Sequence, residues 1–329
     1  MNKTLITGGS GFIGHHMVEY LLEKTDGELV ILDRLDFSGN LNRLTAIPSW
    51  EKNKNRVSFV WHDLKAEINP LIKNKLGKIN TILHLAAGSH VDRSIDDPMS
   101  FVMDNVVGTC NLLNYARNND SLEKFVYFST DEVFGPAPEG INYKEWDRYN
   151  SGNPYSASKA GAEELCLAFN NTYKIPMMIT HCMNVFGERQ HPEKFIPSTI
   201  KKIRDGQEVI IHANQNLSRA GSRYYIHARN VCDAVNFLLN NGVNGEKYNI
   251  VGEREIDNLS LATMIANIMN KPLIHKMVDF HSSRPGHDLR YALDGSKLQS
   301  MGWQMEKNLE KSLESVVTWS LENESWLMI

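Results

Sequence analysis

The sequence has few cysteines and no pairing pattern among them. Its four cysteines, Cys110, Cys166, Cys182 and Cys232, lie far apart, with no CxxC pair and no histidine at metal-ligand spacing. Zinc centres and redox dithiols depend on such spacing. The pattern therefore predicts four reduced, mostly buried thiols and no metal site.

An excess of one charge and a long apolar run are also missing. The 329 residues include 35 basic and 39 acidic ones, well interspersed, for a net charge of -4. This balance argues against a nucleic-acid partner. No segment approaches the ~18 uninterrupted apolar residues of a membrane span, and an apparent strand from Lys3 leaves no room for a signal peptide. We expect a cytoplasmic protein with neither a nucleic-acid nor a membrane partner.

Up to about residue 185, short apolar runs alternate with longer stretches of helical period. The runs are rich in Val, Ile and Leu and predict buried strands, while 12–24, 99–118 and 155–173 predict helices. This alternation is typical of α/β proteins with a Rossmann-type doubly wound parallel sheet. The predicted strands read KTLIT, ELVILD, VSFVW, TILHLA, KFVYFS and MMITH.

The alternation weakens beyond residue 185, which predicts two domains. We expect a Rossmann domain over residues 1–185 and a smaller C-terminal substrate-binding lobe over 186–329. Residues 224–250 again resemble a strand that leads into a helix, so this stretch is expected to return to the first sheet.

The first predicted strand leads into TGGSGFIG, a glycine-rich turn that opens a helix. Gly8, Gly11 and Gly14 fit a GxxGxxG spacing, and such a turn lets backbone N–H groups approach a pyrophosphate. Asp33 ends the second strand at the offset of about 20 residues where an acid meets the ribose hydroxyls. An acid there repels a 2′-phosphate, so the predicted cofactor is NAD, although Arg34 beside it leaves NADP open.

Two further stretches suit the same cofactor. HDL (62–64) follows the third strand and fits the adenine edge, and LAA (85–87) follows the fourth, where small residues let the backbone pass close to the cofactor. Simple strand-end packing is the alternative for both. The predicted cofactor-binding residues are Gly8, Gly11, Phe12, Ile13, Gly14, Asp33, Asp63, Leu64, Leu85, Ala86, Ala87, Asn105, Tyr155 and Lys159.

The stretch YSASK places Tyr155 and Lys159 four residues apart, on one face of a predicted helix. A tyrosine of ordinary pKa, ~10, acts as a base near neutrality only beside a positive charge. Lys159 and an oxidised nicotinamide could both supply that charge. The pair therefore predicts proton transfer at a substrate hydroxyl.

Two acids stand side by side in STDEVFG, directly after an apolar strand. Asp131 and Glu132 are either an ordinary turn, for which Thr and Asp are common, or an acid and a base in one active site.

Taken together, the glycine turn, Asp33, the ST at a strand end and the YxxxK helix resemble the extended short-chain dehydrogenase/reductase family along essentially the whole chain. The resemblance implies that Thr130, Tyr155 and Lys159 oxidise a sugar hydroxyl by hydride transfer to NAD. Within that family, five stretches are most similar to the dTDP-glucose 4,6-dehydratases: LDRLDFSGNLNRL, SHVDRSI, STDEVFG, HPEKFIP and RPGHDLRY.

This likeness gives the acid pair a task. Oxidation of C4 of a hexose acidifies the hydrogen on C5, so a base and an acid can then eliminate water. By resemblance, Glu132 takes the C5 proton and Asp131 protonates the departing C6 hydroxyl, after which the hydride returns to C6. The predicted catalytic residues are therefore Thr130, Asp131, Glu132, Tyr155 and Lys159.

The predicted function is NAD-dependent dehydration of a nucleotide-activated hexose, dTDP-glucose first, to the 4-keto-6-deoxy sugar, catalysed by a hydro-lyase. A 4-epimerase or a decarboxylase of the same fold shares the Tyr and Lys but lacks the adjacent acids. The alternative from another class is a non-catalytic NAD-binding regulatory protein.

The resemblance also implies the substrate-binding residues, since arginine forks suit a diphosphate. They are Ser89, His90, Asn184, Glu193, Lys194, Arg223, Asn249, Arg284, His287 and Tyr291. Gly88, Val185 and the segment 212–223 depart from the dehydratase pattern, so a UDP- or CDP-linked hexose remains open. The family commonly dimerises through the helices at 99–118 and 155–173, which implies a homodimer.

Overall fold

A computed structural model describes residues 2–280 and 289–328 of the chain. The protein divides into two compact units. The first unit comprises Met1–Val133, Asn153–His181 and Cys232–Tyr248. The second unit comprises Phe134–Gly152, Cys182–Val231 and Asn249–Ile329. The chain passes between the units several times, so no single division near residue 185 separates them.

The first six strands of the described residues lie at the predicted apolar runs, and six more follow them along the chain. In chain order they are β1 (Lys3–Thr7), β2 (Glu28–Asp33), β3 (Val57–Trp61), β4 (Thr81–His84), β5 (Lys124–Thr130), β6 (Met177–Cys182), β7 (Asn184–Phe186), β8 (Val209–Ala213), β9 (Ser222–His227), β10 (Lys247–Ile250), β11 (Glu255–Asp257) and β12 (His275–Asp279).

Seven of these strands form one sheet, in the order β10-β6-β5-β4-β1-β2-β3. The pairs β1/β2, β1/β4, β2/β3 and β4/β5 are parallel, and the order 3-2-1-4-5-6 is that of a Rossmann fold. Thr7, the last residue of β1, lies opposite Leu32 and His84. The glycine turn, Asp33 and Leu85 therefore leave the sheet at the same edge.

The helices of the described residues lie in both units, and in the first unit they alternate with the strands. They are α1 (Phe12–Lys24), α2 (Asn42–Thr45), α3 (Trp50–Asn53), α4 (Pro70–Leu76), α5 (Val91–Asp96), α6 (Pro98–Phe101), α7 (Gly108–Ala116), α8 (Pro154–Tyr173), α9 (Phe195–Arg204), α10 (Ala228–Asn241), α11 (Asn258–Ile268), α12 (Ser296–Ser300) and α13 (Leu309–Glu322). Short 3₁₀ turns lie at Lys54–Arg56, Asp131–Phe134 and Glu324–Leu327.

Two predicted elements differ from the structure. The strand TILHLA ends at His84, so Leu85 and Ala86 belong to the following loop. The predicted helix 99–118 is not continuous, because a π-helical turn, Val102–Val107, separates α6 from α7. Turns of this kind recur at functional sites, and this one carries Asn105.

The core of the first unit consists of apolar side chains from both faces of the sheet. Leu5, Ile82 and Phe125 on one face and Ile6, Leu83 and Val126 on the other are 0% exposed, which explains why these strands read as continuous apolar runs and not as alternating ones. The helices that cover the sheet supply the rest of this core. The sheet is thereby buried on both faces, which holds its carboxyl edge in place.

The second unit has two small sheets and its own core. The sheets have the orders β11-β9-β7 and β12-β8, and apolar residues of α9, α11 and α13 pack against them. Among the described residues, no helix has both the length and the apolar character that crossing a membrane requires.

Candidate functional site

The glycine turn between β1 and α1 is shaped by contacts that exclude any side chain. Gly8 has φ +69°, and a Cβ added there would come within 2.8 Å of the Ala86 N. A Cβ on Gly14 would overlap the Gly8 carbonyl oxygen. Gly11 is the N-cap residue of α1 and has no side chain that could accept from the first N–H groups of the helix, those of Phe12 and Ile13 among them. The turn forms an anion-binding cradle at a helix N-terminus.

Asp33 ends β2 beside this cradle and is 7% exposed. Its Oδ2 accepts a hydrogen bond from the Ser10 N at 3.0 Å and its Oδ1 one from the Leu35 N at 2.9 Å. Burial raises the pKa of the Asp33 carboxyl, while these two N–H groups act to lower it. The contacts fix the carboxylate at the strand end and leave lone pairs for further donors.

Asp63 and Leu64 follow β3 on the same edge. The Asp63 Oδ1 accepts a hydrogen bond from the Lys65 N at 2.9 Å. Burial acts to raise the pKa of Asp63, but this bond and the charges of Arg34 and Lys65 outweigh it, so the pKa is lowered. The Leu64 carbonyl accepts from the Asn111 Nδ2 at 2.7 Å, which anchors the loop on α7.

Leu85, Ala86 and Ala87 form the loop after β4, held by side chains of the sheet. The Ala86 N donates to the Thr7 Oγ1 at 3.2 Å, and the same hydroxyl lies 2.7 Å from the His84 Nδ1. Burial lowers the pKa of His84 to about 3, so the imidazole is neutral at physiological pH. The loop is thereby held against the glycine turn.

Asn105 connects this loop to helix α8. Its Oδ1 accepts from the Gly88 N at 2.8 Å, and its Nδ2 donates to the Gly88 carbonyl at 3.1 Å and to the Ser158 Oγ at 2.8 Å. The Ser158 hydroxyl donates in turn to the Tyr155 carbonyl at 2.7 Å. Asn105, at 1% exposure, is held by these contacts and positions both the loop and the tyrosine helix.

The two acids of STDEVFG lie in the 3₁₀ turn that follows β5. The Thr130 hydroxyl donates to the Asp131 Oδ1 at 3.0 Å, and the Glu132 N lies 3.4 Å from the Thr130 Oγ1. Thr130 and Asp131 are buried, whereas Glu132 is partly exposed. The short turn places a hydroxyl and two carboxyl groups at one strand end.

Asn153 ties Glu132 to the start of α8. Its Nδ2 donates to the Glu132 Oε2 at 3.2 Å, and its Oδ1 accepts from the Ser156 N at 2.8 Å as part of a capping box. Tyr155 lies in the first turn of that helix. Asn153 therefore fixes the position of the Glu132 carboxylate relative to the helix turn that carries Tyr155.

Tyr155 and Lys159 both face the buried side of α8, at 9% and 4% exposure. The Lys159 Nζ donates to the Phe128 carbonyl at 2.6 Å and lies 4.2 Å from the centroid of the Tyr127 ring. The Tyr155 ring meets Phe101 edge-on at 6.3 Å. These contacts hold the ammonium group against the strand that carries Thr130.

A buried charged cluster lies one helical turn beyond Lys159. The Glu163 Oε2 is 3.1 Å from the His181 Nε2 and 3.6 Å from the Lys247 Nζ, and its Oε1 accepts from the Ser129 hydroxyl. Burial acts to raise the pKa of Glu163, but these partners more than offset it and lower the pKa. Ser129 precedes Thr130, so the cluster fastens the carboxyl end of β5 to α8 and β6.

Ser89 and His90 lie between the LAA loop and helix α5, and Ser89 is exposed. His90 is the N-cap of α5, where its Nδ1 accepts from the Arg93 N at 3.5 Å. The Ser94 hydroxyl on the same helix accepts from the Tyr155 N at 3.1 Å. The segment therefore packs on the first turn of α8, near the tyrosine.

In the second unit, Arg223 and Tyr291 are in contact. The Arg223 guanidinium carbon lies 4.6 Å from the centroid of the Tyr291 ring. The Arg223 Nη1 donates to the carbonyls of Ser222 at 2.7 Å and Leu289 at 2.8 Å. Arg284 and His287 lie outside the described residues.

Asn249 is predicted to line a substrate groove, but its side chain is enclosed by backbone. The residue is 0% exposed, and its Nδ2 donates to the carbonyls of Tyr143 and Asp294, both at 3.0 Å. In this geometry the side chain joins two segments of the second unit. Its substrate role stays a prediction.

Asn184, Glu193 and Lys194 lie along β7 and the start of α9. Asn184 and Glu193 are exposed, and Lys194 is the N-cap residue of α9. Asn184 lies opposite Tyr225 where β7 pairs with β9, the strand that carries Arg223. The groove that these residues are expected to share stays a prediction.

Sequence reasoning overlooked several residues that hold the site. Asn153 had a readable signal, because Asn before Pro marks a helix start. Asp104 and Glu163 had none, because their partners are distant in sequence. Within 2–280 and 289–328, there is no group of three His, Cys, Asp or Glu side chains that could hold a metal, and the four cysteines are free thiols.

The chain as a whole is similar to proteins of one known family. The family model described as GDP-mannose 4,6 dehydratase matches residues 5–316. The dTDP-glucose 4,6-dehydratase of Escherichia coli is 34% identical over 353 residues, which cover 98% of this chain and 95% of the relative.

Two solved structures have the same fold. DesIV of Streptomyces venezuelae, a dTDP-glucose 4,6-dehydratase crystallised with NAD, has a TM-score of 0.89 at 33% identity and covers 98% of both chains. The dTDP-glucose 4,6-dehydratase of Bacillus anthracis in complex with NAD has a TM-score of 0.88 at 29% identity, covering 100% of this chain and 99% of that one. The predicted Rossmann-type fold is confirmed. The chain belongs to the GDP-mannose 4,6-dehydratase family, within the extended short-chain dehydrogenases/reductases.

Proposed function

We propose that this protein is an NAD-dependent hydro-lyase that converts a nucleotide-activated hexose, dTDP-glucose first, to its 4-keto-6-deoxy product. The observation that carries the proposal is that Asn153 links the acid pair at the end of β5 to the helix of the Tyr/Lys pair. Asp131 and Glu132 follow Thr130 in a 3₁₀ turn, and Asn153 bonds Glu132 at 3.2 Å while it caps the helix of Tyr155 and Lys159. A carboxylate pair so close to a Tyr/Lys pair suits elimination after oxidation.

The residues at the sheet edge fit NAD. The Gly8 turn leaves no room for a side chain, the N-terminus of α1 offers N–H groups to a pyrophosphate, and Asp33 offers a carboxylate to the ribose. NAD held there would supply the hydride acceptor for oxidation at C4 and the hydride donor for reduction at C6. We assign its binding to these residues together with Asp63, Leu64, the 85–87 loop and Asn105.

Tyr155 and Lys159 remove the proton from the C4 hydroxyl in this proposal. Lys159 places a positive charge beside the tyrosine, which favours tyrosinate as the base. Thr130 orients the same hydroxyl from the end of β5. Lys159 also holds β5 itself through the Phe128 carbonyl.

The two acids carry out the water elimination. Glu132 removes the proton on C5, which the C4 ketone has acidified, and Asp131 gives a proton to the C6 oxygen as it leaves as water. The more buried environment of Asp131 suits the residue that must hold a proton, and the more exposed Glu132 suits the base. A proton then returns to C5 as hydride reaches C6.

The test separates the two half-reactions. Glu132→Gln and Asp131→Asn should each retain C4 oxidation, seen as absorbance of NADH formed in a single turnover, while formation of the dehydrated sugar falls about a hundredfold or more. The proposal fails if both variants dehydrate the substrate at the rate of the unaltered protein.

In the second unit, we propose that Arg223 and Tyr291 bind the nucleotide part of the substrate, with Asn184, Glu193, Lys194, Asn249, Arg284 and His287 as further candidates. A guanidinium stacked on an aromatic ring suits a diphosphate next to a base. Ser89 and His90 are proposed for the sugar, in the first unit. A panel of dTDP-, UDP- and CDP-glucose would show which nucleotide is preferred by comparison of kcat/KM.

A 4-epimerase is the second candidate function, since it needs only Thr130, Tyr155 and Lys159. It leaves the mass of the sugar unchanged, whereas dehydration removes one water. Asp131 and Glu132 have no task in such a reaction. Mass spectrometry of the product decides between the two functions.

The protein is further proposed to be a cytoplasmic homodimer. Support for the dimer comes from exposed apolar side chains on the two helices expected to pair, including Met99 at 66% and Val102 at 40% exposure. Sedimentation of the unaltered chain and of Met99→Glu would test this, with the dimer expected only for the former.

A further inference from the structure

Arg34 is held by carboxylates directly beside the proposed ribose site. It follows Asp33 at the end of β2. Its Nη1 donates to the Asp104 Oδ1 at 2.5 Å and its Nη2 to the Asp104 Oδ2 at 2.7 Å, a bidentate pair. Its Nε donates to the Asp36 Oδ2 at 2.6 Å, and its Nη1 lies 3.4 Å from the Asp63 Oδ1.

These contacts engage all three nitrogens of the guanidinium group. The Asp104 side chain is 12% exposed and that of Arg34 25%, so the pair is screened less than a surface ion pair. A fork-to-fork contact of this kind has two parallel charge-assisted hydrogen bonds. Any new anion would have to replace at least one of them.

The charge around Arg34 also opposes a phosphate. The surrounding acids are Asp33, Asp36, Asp63 and Asp104, and the only cation beside Arg34 in these contacts is Lys65, at 3.4 Å from Asp63 and 3.9 Å from Asp104. Four carboxylates outnumber these two cations. A ribose 2′-phosphate, with its charge of about -2, would enter a region that is already negative.

We propose that Asp104 is a specificity-determining residue, which holds Arg34 away from the ribose and so makes the site select NAD over NADP. An arginine directly after the acid of β2 would otherwise be placed to bind a 2′-phosphate. Asp104 converts that arginine from a phosphate ligand into part of a closed ion-pair network. The inference rests on the proposed function, because it takes the ribose to bind at Asp33.

The experiment compares binding of NADH and NADPH to the full chain by nicotinamide fluorescence. Asp104→Asn keeps the shape of the side chain but removes its charge and one acceptor, so Arg34 is released. NADPH is expected to bind about tenfold or more tightly to this variant, as one charge-assisted hydrogen bond allows, while NADH affinity changes less than about twofold. In Asp104→Asn/Arg34→Ala the gain in NADPH affinity is expected to disappear.

Asp96→Asn is the matched control, because it removes the same charge from an exposed position of the preceding helix. It should leave both affinities unchanged. The inference is overturned if Asp104→Asn leaves the NADPH-to-NADH ratio unchanged, or if its gain persists without Arg34. If the unaltered protein does not bind NADH, the proposed function fails instead.

Arg34→Ala alone gives a test that does not require Asp104→Asn to fold. An arginine held in this way donates no hydrogen bond to a 2′-phosphate, so in about 0.5 M salt, where the lost charge is screened, this variant should bind NADPH within about twofold of the unaltered protein. A clear loss of NADPH affinity would show that Arg34 already reaches the 2′-phosphate, and would overturn the inference.

Discussion

The two units of the protein organise their predicted site residues differently. In the first unit, the glycine turn, Asp33, the LAA loop and the carboxylate turn leave neighbouring parallel strands at one edge of a sheet, and helix α8 is tied to that edge through Asn153. In the second unit, Arg223 and Tyr291 meet, but Asn249 is fully buried among backbone carbonyls. Site residues at the ends of parallel strands are brought together by the order of the strands in the sheet. The positions of site residues on small sheets and loops depend instead on how the segments pack.

The largest expected difference between the units is in catalysis. Tyr155→Phe should lower kcat about a thousandfold, since it removes the proposed base, without changing thermal stability. Tyr291→Phe should lower kcat less than about tenfold and act mainly on KM, because its ring survives for Arg223 to stack on. Steady-state kinetics with the preferred nucleotide sugar measures both, and equal losses in kcat would contradict the division of roles.

The next difference is in how well glycine positions of the two units tolerate a side chain. Gly14→Ala should abolish NADH binding and destabilise the fold by about 2–3 kcal/mol, because its Cβ would overlap the Gly8 carbonyl in a region that cannot relax. Gly206→Ala in the second unit has φ +65° but open space around it, so it should cost only about 1 kcal/mol and leave NADH binding intact. Fluorescence titration and urea denaturation separate the two effects.

Buried charge gives a third comparison. Glu163→Gln should destabilise the protein by about 3 kcal/mol, since it leaves His181 and Lys247 buried without their carboxylate. Glu255→Gln should cost about 1 kcal/mol, because the Glu255 side chain, bonded to Arg290 at 2.9 Å, is 28% exposed. Urea midpoints at neutral pH test this, and a smaller effect at Glu163 would contradict the account of the cluster.

The smallest expected difference is in the response to acid. The folded first unit keeps His84 neutral down to pH about 3, whereas the unfolded chain binds that proton below pH ~6.5. The unfolded state therefore gains protons first, and stability of the first unit should fall as the pH drops below about 6.5. His84→Gln should weaken this dependence.

The second unit should respond only at lower pH. Burial acts to raise the pKa of Glu255, but Arg290 and Ser222 more than offset it and lower the pKa, so its stabilising contribution is present above the unfolded pKa of ~4.3 and is lost below it. Hydrogen exchange by mass spectrometry resolves the two units separately. Protection lost in both at the same pH would contradict the comparison.

The first unit could be predicted from the sequence because its signals are local. Continuous apolar runs give the strands, the glycine turn requires Gly8 and Gly14, and the offset to Asp33 follows from one βαβ unit. Two residues that support the site could not be predicted, because Asp104 lies 70 residues from Arg34 and Glu163 meets Lys247 only through the order of β6 and β10. Nothing in the sequence indicated that Asn249 would be enclosed, since that depends on how the segments at Tyr143 and Asp294 pack.

The most direct test of the proposed function is the mass of the product formed from dTDP-glucose in heavy water. Dehydration through Glu132 predicts a sugar that has lost one water and carries deuterium on C5, because the proton taken there is replaced from solvent. A product of unchanged mass, or a dehydrated sugar with no deuterium on C5, would contradict the account.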